Sequence, residues 1–334
     1  MNRDRAMTVL KVGVSLGLIV WLFRDVDLNE VWAALRRTDL LLFVVAMVLY
    51  MGAIASNAVK WGVLLRAQGV KPPLSALVRH TFVGVFFTNF LTFLGGDMMR
   101  GYGLVREIER IADVAVSVLV DRMIGLLAFA TAGTFSAVVA VRFFGMDESA
   151  LLVVEQIGIA ATLALLVGFA LLLSGRLRRW MQRGMGRLPL LKAVMPIVEQ
   201  LSNAVGYYRS RPLALVAAYG VGLSTILISN LVNWLLFIAI GDTAIQLLHI
   251  FIFNPIVGLT QALPISVGGL GVNQAMFPYL YGLVGVSKLN ALAASLLLQM
   301  IIYLTSLPGG LFWLLRRATT KQSTQNAERR TQNG

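Results

Sequence analysis

Thr88–Arg100 reads TNFLTFLGGDMMR, an apolar run of membrane grade that two glycines interrupt before an acid and a base follow. Hydrocarbon holds no water to bond an irregular backbone, so a Gly-Gly break at membrane depth survives only against protein or a wet cavity. A second stretch, Thr260–Gly271 (TQALPISVGGLG), repeats the order of hydroxyl, amide, leucine and paired glycines. It lies 172 residues on, Thr88 to Thr260, with one extra residue before Gly268. Each stretch is expected to form the tip of a re-entrant helical hairpin. A helix restarting after such a break turns its unpaired N–H groups and positive dipole end into the cavity, a setting that suits phosphate or carboxylate. Gly pairs also let two helices approach closely, so packing is the competing reading of either pair alone.

The composition around these motifs belongs to an integral membrane protein. With 57% hydrophobic and 13% charged residues in 334, polar side chains are too few to coat a soluble globule. The stretches 40–59, 123–141, 156–174, 212–241 and 289–315 carry no Asp, Glu, Lys or Arg and are long enough to span. The formal charge of +13 gathers in short segments beside apolar runs, which points to membrane topology and anionic head groups, not to nucleic acid. No cysteine is present, and that excludes disulfides and thiolate chemistry. The two histidines, His80 and His249, lack metal-ligand spacing, so neither a metal site nor another cofactor is expected.

Taken in order, the basic start and apolar 12–23 predict an uncleaved first helix with its N-terminus inside. Lys60, Arg66, Lys71 and Arg79 are expected in a basic loop, with Pro72-Pro73 as its turn. Turning back at Gly95-Gly96 keeps Arg100, Arg106 and Arg110 on the inner side and makes Asp97 a helix N-cap. Leu104, Val105, Ile108 and Ile111 share one face of the next helix, which is read as interfacial. Asp121 and Arg122 follow near the start of a span; adjacent helical residues point about 100° apart, so each is expected to find its own partner. Residues 175–211, with Arg178, Arg179, Arg183 and Arg187, form a basic cytoplasmic elbow on anionic lipid. Asn230 and Asn233 sit in mid-span, where amides bond a neighbouring helix.

The expected fold is therefore an all-α polytopic membrane protein of about six spanning helices plus two re-entrant hairpins in an inverted repeat. One transmembrane domain covers 1–317, with repeat units at about 39–144 and 211–316, and 318–334 is a disordered cytoplasmic tail. Both termini are placed in the cytoplasm, with the chain in the cell membrane. The substrate-binding set drawn from the two tips and the span is Asn89, Gly95, Gly96, Asp97, Arg100, Asp121 and Arg122 in the first unit. In the second it is Pro264, Ser266, Gly268, Gly269, Gly271 and Asn273.

Three pieces, NFLTFLGGDMMR at 89–100, VDRMIGL at 120–126 and LPISVGGLGV at 263–272, resemble the flippase-like transmembrane domain of lysylphosphatidylglycerol synthetases. The resemblance runs over about 11–317. It implies a stand-alone member that translocates an anionic phospholipid or a polyprenyl-linked lipid and is not itself an enzyme, the aminoacyl transfer of the synthetases residing in a separate soluble domain. Family members often carry an Arg-Glu pair after the second glycine cluster, where this chain has Asn273 and Gln274. Two other functions remain open on residues alone: a lipid head-group transferase or phosphatase using Asp97 and Asp121, and a non-transporting subunit of a glycosyltransferase.

Overall fold

The computed structural model describes residues 32–33, 35–89, 93–144, 149–173, 206–242, 244–262 and 271–332, and all of its regular structure is helical. The order is α1 (Leu40–Ala67), α2 (Leu74–Thr88), α3 (Phe93–Ile108), α4 (Ile111–Phe144), α5 (Ser149–Leu173), α6 (Pro212–Ala239), α7 (Leu247–Ala262), α8 (Val272–Gly282) and α9 (Lys288–Gln332). Among the described residues α1, α4, α6 and the 288–315 part of α9 are long and apolar enough to cross a membrane, while α2, α7 and part of α5 are shorter apolar helices. Leu40, Leu41 and Val48 on α1, Leu163 and Val167 on α5, and Leu213 and Val216 on α6 are exposed, as a lipid-facing exterior requires. The expected first span at 12–23 and most of the elbow lie outside the described residues.

The internal repeat is visible in element bounds. Helices α1 and α6 are each 28 residues long, and the offset of 172 carries both ends of one onto the other. It also carries Gly69 onto Gly241, which hold φ of 79° and 81° just past the two helix ends. Both glycines close the same kind of cap, with Val70 N–H donating to Leu65 C=O and Asp242 N–H to Phe237 C=O, each at 3.0 Å. After each first helix come two shorter helices and then a long one.

The two units run in opposite directions. Asp39 N–H donates to Ala239 C=O (2.8 Å), Thr225 Oγ1 donates to Ser56 Oγ (3.0 Å), and Arg211 Nη1 donates to Arg66 C=O (3.3 Å). The start of α1 thus meets the end of α6 and the reverse, an antiparallel pair of equivalent helices. The hairpins are exchanged reciprocally. α2 packs on α9 and α7 packs on α4, so each unit's first short helix lies against the other unit's last long one. Contacts along both seams are close: a Cβ at Gly309 would overlap the Phe82 carbonyl, and one at Gly258 would overlap the Phe129 ring.

Four expectations are corrected. Lys60 is not in a loop but inside α1, which continues to Ala67 because the apolar pattern resumes at Trp61 and reaches Leu65 before the first turn residue, Gly69. Gly95 and Gly96 are not the break, since α3 already begins at Phe93; Gly96 lets α3 approach α2, where a Cβ on it would overlap Thr88 Oγ1 and the Gly84 carbonyl. Asp97 is consequently a side chain of the second helical turn and not an N-cap. The apolar face of α3 is covered by protein, with Leu104, Val105 and Ile108 against a core that includes Trp61, Leu65, Leu77 and Val114. Only Ile111, the first residue of α4, is left exposed at 69%. Separately from these four, α9 is helical to Gln332, with no proline or glycine between Leu311 and Gln332.

Because the chain has no cysteine, the antiparallel seam can be read by cross-linking. Ser56→Cys with Thr225→Cys should form a disulfide under mild oxidation, their hydroxyls being 3.0 Å apart. Asp39→Cys with Leu213→Cys should not, because a parallel pair alone would bring those two ends together. Mobility after cleavage at a protease site introduced within residues 175–205 distinguishes the two outcomes.

Candidate functional site

Ionisable side chains from three helices converge behind the first hairpin. Asp97 and Arg100 stand three apart on α3 and so share a face. Asp121 lies one helix away on α4, and Lys60 comes from α1. Arg100 Nη2 donates to Asp121 Oδ2 (2.7 Å) and meets Asp97 Oδ1 (2.9 Å), while Lys60 Nζ lies 3.3 Å from Asp121 Oδ1. Arg122 Nη1 is 3.7 Å from Asp97 Oδ2. The Arg100 guanidinium also lies over the Trp61 ring at 5.0 Å, and Trp61 Nε1 donates to Ser117 Oγ (2.9 Å).

Three cations and two carboxylates leave this cluster with one net positive charge. It is graded in access. The side chains of Lys60, Asp121 and Arg100 are 6%, 6% and 7% exposed, whereas Asp97 is 17% and Arg122 30% exposed. Burial of charge is tolerated only where partners replace water, which the two carboxylates do for Lys60 and Arg100. Arg122 stands at the open edge, where the surplus charge meets the surroundings. A guanidinium so placed can take a phosphate oxygen pair by parallel N–H bonds.

Of the residues expected to bind substrate, the fold brings together Asp97, Arg100, Asp121 and Arg122. Asp121 and Arg122 do take separate partners, as their angular offset implied. Asn89 is buried and donates from Nδ2 to Ser306 Oγ (2.9 Å), which ties the end of α2 to α9. Gly96 serves the α2–α3 approach, and Gly95 lies beside it in the first turn of α3. In the second unit Gly271 precedes α8 with φ of 85°, its N–H donating to Gln274 Oε1 at 2.7 Å, and Asn273 is fully buried. Pro264, Ser266, Gly268 and Gly269 lie outside the described residues. Reading by charge missed Lys60 and Trp61; the signal available was the unbroken apolar register of 58–65 around a single lysine. The mid-span amides do bond a neighbouring helix, Asn233 Nδ2 to Asn254 Oδ1 (3.0 Å) and Asn254 Nδ2 to Asn230 Oδ1.

This architecture coincides with a match to the family described as the lysylphosphatidylglycerol synthase TM region, covering residues 8–309. The chain belongs to that family. It is a multi-pass membrane protein of the lysylphosphatidylglycerol synthase transmembrane family, and the family's description ties it to membrane lipid. No curated protein matches the chain. The match takes in the first repeat unit, all but the last few residues of the second and the whole ion cluster.

Asp121 is the member whose loss is felt most. Asp121→Asn raises the net charge of the cluster from one to two, takes from Lys60 the carboxylate it faces and leaves Arg100 with Asp97, which Arg122 also approaches, so it should destabilise by about 3–5 kcal/mol. Adding Lys60→Met restores the charge balance and should recover much of that loss. Thermal unfolding of the single and double variants in one detergent measures both effects.

Proposed function

We propose that the protein is a lipid translocase that moves an anionic phospholipid, or a lipid-linked phosphate or sugar, between leaflets by alternating access. The observation that carries the reading is the reciprocal docking of two oppositely directed units. An arrangement in which each half can occupy the other's geometry has two related states, one open to each side. The ion cluster supplies the substrate's charge sign. Arg122, beside Asp97, is the most exposed of its cations and the one a head-group phosphate would meet, while Asp97 and Asp121 hold Arg100, and Asp121 holds Lys60. An arginine at membrane depth costs about 2.5–3.5 kcal/mol on insertion scales, a cost that a phosphate-binding role offsets during transport. Translocation needs no covalent step, so these residues bind and reposition without bond making. Both termini are cytoplasmic in this reading, with two re-entrant hairpins and six spans in the cell membrane.

Reconstitution of the full chain into liposomes with a fluorescent phosphatidylglycerol tests the proposal. Transfer between leaflets above that of protein-free liposomes is expected, with no new lipid species by mass spectrometry. Arg122→Gln should slow transfer by about tenfold or more, equivalent to roughly 1.4 kcal/mol of lost stabilisation, while leaving the melting temperature close to that of the parent. Arg122→Lys should not restore it, since an ammonium cannot make the bidentate contact. Gly96→Leu should abolish transfer with membrane insertion retained. A chemically altered head group, or transfer unaffected by Arg122→Gln and Gly96→Leu alike, overturns the reading.

Labelling of single cysteines tests the topology separately. Positions 106 and 183 should react only from the inner side of intact cells, and position 147 from outside; the reverse pattern removes the proposed orientation.

A further inference from the structure

The ion cluster differs from the other charge contacts of the fold in its count. Among the described residues Arg79–Glu107, Arg110–Asp113 and Arg142–Glu155 each set one cation against one carboxylate. Lys60, Asp121, Arg100, Asp97 and Arg122 instead form a chain of contacts in which cation and carboxylate alternate and a cation stands at either end. Such a chain carries one positive charge. The second unit does not cancel it, since residues 243–287 hold no Asp, Glu, Lys or Arg. The offset of 172 carries Lys60 onto Val232, Asp121 onto Ala293 and Arg122 onto Ala294, and with the one-residue insertion Asp97 and Arg100 fall on Leu270 and Asn273.

The two ends of the chain differ in access. Lys60 is 6% exposed and lies 3.3 Å from Asp121 Oδ1, whereas Arg122 is 30% exposed and stands 3.7 Å from Asp97 Oδ2. That second contact is too long for a hydrogen bond, and Asp97 Oδ2 is buried without accepting one. A phosphate oxygen arriving at Arg122 Nη1 therefore comes close to the Asp97 carboxylate as well. One negative charge there continues the alternation and makes the whole array neutral. A second charge on the same phosphorus finds no cation of the cluster left to match it and faces a carboxylate where water is scarce, so the repulsion is stronger than in bulk water. A plain arginine clamp behaves the other way, holding the dianion more tightly because its hydrogen bonds carry more charge.

We infer that the cluster is a charge-matched site that takes a singly charged lipid phosphodiester in preference to head groups carrying two charges on phosphate, with Asp97 setting that selectivity. This deepens the translocase reading and rests on it for treating the ligand as a travelling lipid. The substrate class narrows to phospholipids and lipid-linked sugars joined through a phosphodiester, and phosphomonoesters are disfavoured.

Calorimetric titration of the full chain in a non-ionic detergent, with each probe also titrated into detergent alone, reads the charge rule. Octyl methyl phosphate carries one negative charge at every pH used, and octyl phosphate carries two at pH 8 and one at pH 5. Dimethyl phosphate supplies the diester group without a chain. At pH 8 the octyl diester should bind about tenfold tighter than octyl phosphate, and at pH 5 the two should agree within about twofold. Asp97→Asn raises the surplus to two charges and should reverse the order at pH 8, whereas Asp97→Glu should keep the parental order. A purely structural role for Asp97 would lower the melting temperature and weaken both probes by one factor, leaving their ratio alone. Octyl phosphate binding as tightly as the diester to the parent at pH 8, a preference that persists at pH 5, an order unchanged by Asp97→Asn, or no binding of the octyl diester overturns the inference. The parental comparison decides even where the Asn variant fails to fold. Dimethyl phosphate should bind about tenfold or more weakly than the octyl diester. Equal affinity makes a soluble phosphodiester the ligand and removes the translocase reading, as does absent transport in liposomes, and either leaves the charge rule standing.

Discussion

The carboxylate of Asp121, held between Lys60 and Arg100 away from water, fixes how α1, α3 and α4 meet. In a low-dielectric interior none of the three charges is tolerable alone, and together they require helices from two sides to converge on α4. Arg100 then cannot leave its place without abandoning two carboxylates and the Trp61 ring. Once Arg100 is held there, α3 lies close against α2, which Gly84 and Gly96 permit. The same pinning leaves Arg122 as the accessible cation of the group, so the partner that stabilises the interior also selects which arginine faces outward.

The opposed units share a frame and differ in chemistry. Their first helices have the same length, the same glycine cap and reciprocal contacts, yet the charged positions of one are apolar or amide in the other. Backbone packing sets the frame through small residues at the seams, such as Gly222 and Gly309, where neighbouring helices come close. Polar side chains set the chemistry, and they are free to differ because the frame does not depend on them in both halves. Gln274 illustrates this: it caps the start of α8 by accepting from Gly271 N–H, a contact that needs a side-chain oxygen but no charge.

Much of this was legible in the sequence. Apolar runs longer than a bilayer's thickness announce spans whatever their neighbours, and the 172-residue echo of a glycine motif announces the repeat. Asn230 and Asn233 were legible for the same reason, since an amide in hydrocarbon has few ways to be satisfied. Lys60 was not, because a single lysine near the end of an apolar run looks alike in a loop and in a helix; its partner lies 61 residues away on α4. Gly95 and Gly96 misled because glycine serves both sharp turns and close helix contacts, and only the position of Gly84 and Thr88 across the gap decides between them.

The antiparallel seam of α1 and α6 has a consequence for biogenesis. A free-standing half could rebuild this architecture only if copies were inserted in both directions, and insertion direction is set by the balance of lysine and arginine in the flanking segments. Joining the halves in one polypeptide lets the first insertion event dictate the second. Charge reversals among the arginines between the units are therefore expected to disturb the direction of both insertions in an otherwise intact sequence.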